Sequence, residues 1–186
     1  MKVFAKAALL VGVAALLVSC AKAPEMEESR ATQSATTAEQ AKAARYAPDA
    51  WQMAEDTLQA ARTEKAAQDD RFALFRSYGT AKALFERAAV LADEAAAQAR
   101  QEMERVRQET EVMLSNTQMA LDSTAAKLAK ARVGKDNKAE IELMKQDIAA
   151  FQQQMAEAQA DYNAGEYDKV RTKLEAINTR LAAMKL

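Results

Sequence analysis

The chain has 186 residues, a formal net charge of −1, no histidine, one cysteine, 5% aromatic residues, and few breakers, with Gly 4 and Pro 2. Without histidine it lacks the commonest general base and metal ligand, a single cysteine excludes an intramolecular disulfide, and the near-balanced charge offers no basic face for nucleic acid. The abundance of Ala, Glu, Gln, Lys and Arg, with little β-branched or aromatic content, predicts an all-α fold of long helices and argues against a sheet.

The chain opens with a positive stretch carrying Lys2 and Lys6, followed by an unbroken run of twelve apolar or glycine residues at 7–18. Such a run suits the hydrophobic centre of an export signal and is too short to span a bilayer, which takes about twenty residues. It ends in Leu17, Val18, Ser19 and Cys20, which resembles the lipobox of bacterial lipoproteins. The resemblance implies that the Cys20 thiol receives a diacylglyceryl group, that the peptide is cut between Ser19 and Cys20, and that the new amine is acylated. Residues 1–19 are then a cleaved signal, and the membrane is held through the lipid on Cys20. Two or more acyl chains give stable attachment where one does not. In Gram-negative relatives an Asp after the lipidated Cys tends to retain the protein in the inner membrane. Ala21 therefore implies an outer-membrane address with the body facing the periplasm.

Residues 20–36 are polar and show no apolar period, so a flexible tether is expected, with a reach of roughly 50 Å when extended. Thr36 and Glu39 fit a capping box, which predicts a short helix over 37–45 within a helical body at 37–186. Pro48 breaks it and suits the first turn of a helix over 49–67, whose Trp51, Ala54, Leu58 and Ala61 share one face at 3-4-3 spacing. Gln68, Asp69 and Asp70 read as a turn whose aspartates cap the next helix. That helix is predicted over 71–133, about 62 residues or roughly 93 Å, with Phe75, Tyr78, Phe85, Ala88 and Leu91 on its first half. Its second half presents Met103, Val106, Thr110, Met113, Thr117, Leu121 and Leu128. Residues 92–99 are rich in alanine, where a bend or a thinner seam is expected. Gly134 then supplies a left-handed stop.

The last two helices carry the cleanest signal. Ile141, Met144, Ile148, Phe151, Met155, Ala158 and Tyr162 step 3-4-3-4-3-4 through a helix over 136–162, and Tyr167, Val170, Leu174, Ile177, Leu181 and Met184 do so through one over 166–185. A 3.5-residue period marks coiled-coil-like seams, and the short link at Asn163, Ala164 and Gly165 forces an antiparallel hairpin. The expected fold is an elongated all-α bundle, with coiled-coil-like antiparallel hairpins around one long helix. The Tyr78, Ala81, Phe85 and Ala88 spacing repeats at Tyr167, Val170, Leu174 and Ile177, which either a duplicated hairpin or shared heptad geometry explains.

Tests for chemistry find little. The carboxylates Glu55, Asp56, Asp69, Asp70, Glu102, Glu104, Glu109 and Glu111 fit solvated helix faces paired with Arg and Lys better than a walled sugar pocket. No nucleophile elbow, phosphate-cradling Gly loop or metal-ligand spacing is present. No catalytic residue, cofactor or metal is expected. Met144, Met155 and Met184 fall on the helical seams as packing residues. Trp51, with Phe72 and Phe75, forms either an exposed ligand platform or, as the large area an aromatic buries in a core otherwise made of alanine favours, an anchor between two helices. Lys185 is followed by Leu186, which disfavours attachment to peptidoglycan through a terminal lysine.

Residues 44–99 carry Tyr46, Ala47 and Pro48, then Ala54, Leu58 and Ala61, then Ala81, Ala88, Leu91, Ala92 and Ala95. This pattern resembles the bacterial envelope family called domain of unknown function 4398, mostly lipoproteins with Ala-rich helical hairpins. The family's tight Gly-containing turn is replaced here by a charged, aromatic stretch at 68–80. The resemblance implies an envelope location and a helical hairpin, and it implies no activity. The expected function is that of a lipid-anchored periplasmic scaffold or adaptor, acting through protein contacts or spacing. The alternatives are a self-associating coiled-coil spacer and a binding module for glycan or a small ligand, the latter requiring exposed aromatics.

Overall fold

The structure is a computed structural model that describes residues 22–184. The signal, Ser19, Cys20, Ala21 and Lys185 lie outside the described residues. Six α-helices and one 3-10 turn make up the described chain, with no strand among them: α1 (Glu25–Gln40), α2 (Ala43–Tyr46), α3 (Pro48–Asp69), the 3-10 turn (Ala73–Phe75), α4 (Gly79–Lys130), α5 (Lys138–Asn163) and α6 (Tyr167–Ala183). The all-α bundle is therefore the fold. The chain divides into two units, Met1–Glu102 and Met103–Leu186, and α4 contributes to both.

In the first unit, α1, α3 and the first part of α4 close around Ala31, Leu58, Ala61, Ala81, Phe85, Ala88 and Ala89. Helix α1 corrects the expected tether. It starts after Pro24 with Glu25, Glu27 and Glu28 in its first turn, where carboxylates meet the positive end of the helix dipole. It buries Ala31, Ser34 and Ala38, a helical stripe made of residues too small to register as apolar periodicity. The expected helix start at Thr36 is also corrected. Thr36 and Thr37 lie inside α1, and their hydroxyls donate to the carbonyls of Thr32 and Gln33 at 3.0 Å each, as mid-helix threonines do. The chain then reverses through Lys42, whose φ of 59° is left-handed, an uncommon conformation for a residue with a Cβ. After the single turn of α2, Pro48 occupies the first turn of α3, where its missing N–H is no loss. Ion pairs cross the helices: Lys65 to Glu28 at 2.6 Å and Lys82 to Glu27 at 2.9 Å.

The expected helix start at residue 71 is corrected to Gly79. Asp69 ends α3 instead of capping the following helix, and the Arg76 guanidinium donates to the carbonyls of Asp69 (2.7 Å) and Arg71 (2.9 Å). The Ser77 N–H donates to the buried Gln68 side chain at 3.0 Å. The Asp69 carbonyl orphaned at the end of α3 is thus satisfied by an arginine from the next segment, and residues 71–78 stay out of the α-helix.

In the second unit, Leu114, Leu121 and Leu128 of α4 meet Ile141, Ile148, Phe151, Met155 and Ala158 of α5 and Val170, Leu174, Ile177 and Leu181 of α6. Leu114 is buried where Met113 was expected, and Met113 packs partly buried at the edge. Asn178 donates to the buried Thr117 hydroxyl at 2.8 Å, and Thr110 donates to the Val106 carbonyl at 2.7 Å, so neither threonine strands a polar atom in the seam. Gly165, at φ 73°, makes the left-handed link between α5 and α6. Gly134 does not do so after α4: positive φ occurs among the described residues only at Lys42 and Gly165. That connection is closed instead by Asn137, which accepts from the Gly134 N–H at 2.7 Å and donates to the Arg132 carbonyl at 3.0 Å.

Candidate functional site

Trp51, Phe72 and Phe75 do not form one platform. Trp51 is buried on the inner face of α3, 9% exposed, in line with Ala54, Leu58 and Ala61. Phe72 and Phe75 are 69% and 74% exposed, and Leu74 between them is 63% exposed. The two rings sit 6.3 Å apart at 50°. Phe75 thus leaves the inner face of α4 to which helical periodicity assigned it, because the 3-10 turn rotates it away.

This apolar tip is held firmly from behind. Besides the Arg76 and Ser77 bonds, the Tyr78 hydroxyl donates to the Asp69 carboxylate. That bond, together with burial, pushes the Tyr78 hydroxyl above its ordinary pKa, because ionisation would place two negative oxygens in contact. Beside the tip, residues 22–27 and residues 76–79 with Lys82 line an open cleft of about 610 Å³. The start of the described chain and the tip therefore share one end of the first unit. The Lys82–Glu27 pair bridges the two walls, and Lys82 holds the Glu27 carboxyl below its usual range.

The second unit carries a polar cluster on α4 and α5. Arg107 donates to both Glu104 oxygens at 2.9 and 2.8 Å, to Glu111 at 3.1 Å and to the Tyr162 hydroxyl at 3.0 Å. Gln108 adds a bond to Glu104 at 2.8 Å. With these donors the Glu104 carboxyl is lowered to about 2, so it stays ionised and is a poor proton donor at neutral pH. Arg105 pairs with Glu109 in the same helix. Asp56 accepts from Gln52 at 3.2 Å on an exposed face of α3. Among the described residues, no three carboxylate, cysteine or histidine side chains come together as a metal site.

Sequence reasoning missed the tip as a unit and missed Leu74 altogether. The signal available was the crowding of Phe72, Leu74 and Phe75 at spacings that put them on no single helical face, between two arginines. Ser19 and Cys20 lie outside the described residues, three and two positions short of Lys22. No helix among the described residues is long and apolar enough to cross a membrane. No family model, curated protein or solved structure matches the chain.

Proposed function

We propose that the chain is a lipoprotein, cut between Ser19 and Cys20 and acylated on Cys20, that serves as a non-enzymatic helical scaffold or adaptor on the periplasmic face of the outer membrane. The observation that carries this reading is the lipobox-like Leu17, Val18, Ser19 and Cys20 at the end of a twelve-residue apolar run. The resemblance of residues 44–99 to domain of unknown function 4398 points the same way. Support also comes from the helical faces, where the described carboxylates Glu27, Glu28, Glu104, Glu109 and Glu111 are engaged in ion pairs with Lys and Arg. The mature N-terminal peptide should be Cys20 bearing acyl chains, and Cys20→Ser should abolish lipidation and normal maturation. A mass spectrum showing a free Cys20 thiol, or another first residue, overturns the lipoprotein. Ala21→Asp should shift the protein toward inner-membrane fractions in a Gram-negative host; an unchanged distribution removes the outer-membrane address. The adaptor role is tested by crosslinking the native lipoprotein in cells and identifying its partner.

The second reading is self-association as a coiled-coil spacer. Val112 and Met119 are exposed on α4 seven residues apart, so they share one helical face outside the core of the second unit. A concentration-dependent mass in solution that Val112→Lys abolishes would favour this reading, and a monomer at all concentrations would remove it.

A further inference from the structure

We infer that the tip formed by Phe72, Leu74 and Phe75 is a membrane-docking element, seated in the same lipid surface that holds the acyl chains of Cys20. This inference rests on the lipoprotein reading and adds an orientation to it. Three observations converge on a lipid surface as the occupant.

The first is covalent reach. Only Ala21 separates Cys20 from Lys22, so an acylated Cys20 lies within roughly 7 Å of the described chain at any backbone conformation. Residues 22–27 form one wall of the cleft whose other wall starts at Arg76, next to Phe75. The anchor therefore brings this end of the first unit to the headgroups, and the tip with it. The second is composition. Two phenylalanines and a leucine, each more than 60% exposed, are flanked by Arg71 and Arg76, the pattern of apolar rings beside basic residues that partitions into a bilayer interface. Met26, 82% exposed in the first turn of α1, stands on the cleft wall beside them. The third is bracing. Hydrogen bonds from Arg76, Ser77 and Tyr78 to Gln68, Asp69 and Arg71 tie the two ends of the tip together, which lowers the ordering its insertion requires. The acyl chains supply attachment. The tip supplies a second, off-axis contact that fixes which face of the first unit is turned toward the membrane.

The test uses the mature lipidated protein in vesicles of phosphatidylethanolamine and phosphatidylglycerol, with acylation of Cys20 verified first by mass. Acylation occupies the chain's one cysteine, so Ala73→Cys provides a unique thiol for a nitroxide while leaving all three apolar side chains in place. Met53→Cys, on the exposed face of α3 in the same unit, serves as the reference. The label at 73 should be reached by dissolved oxygen and shielded from an aqueous nickel chelate, and the label at 53 should show the reverse. Adding Phe72→Ser with Phe75→Ser, both at exposed positions, should return the label at 73 to water while the acyl anchor stays in place. A label at 73 as open to nickel as that at 53, on an acylated protein, overturns docking and leaves the lipoprotein standing. Shielding from both reagents that grows with protein density identifies a second copy as the occupant and also overturns docking. An unmodified Cys20 overturns both readings.

Discussion

The two units reach the same three-helix solution with different side chains. The first packs α1, α3 and α4 over alanine, with Ala31, Ala61, Ala81, Ala88 and Ala89 around Leu58 and Phe85. The second packs α4, α5 and α6 over three leucines from α4 and a set of Ile, Phe, Met, Val and Leu from the hairpin. Burial contributes about 1.5–3 kcal/mol for a full Leu, Ile or Phe side chain and only about 0.8 kcal/mol for each methylene-sized group. The alanine unit therefore gains less from each position and concentrates its apolar burial in Phe85, Leu58 and Trp51. Its compensation lies in close approach, since helix separation is set by the side chains at the contact, and in the high helix propensity of alanine. The second unit spreads its stability along a seam. Large residues make a core tolerant of shortening at its ends, whereas small residues make one intolerant of growth.

The largest effect that would test this contrast is Leu174→Asp or Ile148→Asp. Both side chains are buried mid-seam. Truncation alone costs about 2–5 kcal/mol, and an unpaired charge adds a further penalty. The α5–α6 hairpin should unfold while amide exchange in α1 and α3 stays slow. Simultaneous loss of protection in both units would show that they are one cooperative body. Next is Phe85→Ala, expected to cost about 3–5 kcal/mol in urea unfolding because alanine neighbours cannot expand into the space. A loss below 1 kcal/mol would show that Phe85 does not dominate its unit. Third, Ala61→Leu should destabilise the first unit by about 1–3 kcal/mol through overpacking, and a neutral result would mean that its helices are not closely apposed.

The smallest effect is electrostatic. The Glu104 carboxyl, ordinarily near 4.5, is held at about 2 by Arg107 and Gln108. Its contribution is complete above pH 4.5 and is lost as pH falls through about 2, and it is small because the group is exposed. The urea midpoint of the parent should therefore exceed that of Glu104→Gln at neutral pH, with the gap closing on acidification across that window. A gap independent of pH would assign the difference to something other than this ion pair.

The same contrast explains what could be read from the sequence. In α5 and α6 the buried positions include Ile141, Ile148, Phe151, Met155, Val170, Leu174, Ile177 and Leu181, whose size makes the 3-4 period plain. In α1 the buried positions are Ala31, Ser34 and Ala38, so a packed helix has the composition of a tether. The tip was illegible for another reason. Phe75 continues a helical pattern on paper, and the bonds of Arg76, Ser77 and Tyr78 to Gln68, Asp69 and Arg71 accompany its departure from register. Those bonds depend on where α3 ends, which local patterning does not fix. Lys42 in the left-handed region gave no signal either, since that position ordinarily selects glycine or asparagine.

Helix α4 runs without interruption from Gly79 to Lys130 and serves both cores. Starting a helix is unfavourable, because a first turn fixes three residues for one hydrogen bond, whereas extending one is close to free. Whichever unit condenses first therefore presents its neighbour with a helix already begun, needing only elongation across residue 102. The branched-chain unit, with more apolar surface gained per contact, is the natural place for that start. A helix shared by two cores thus needs only one costly first turn between them.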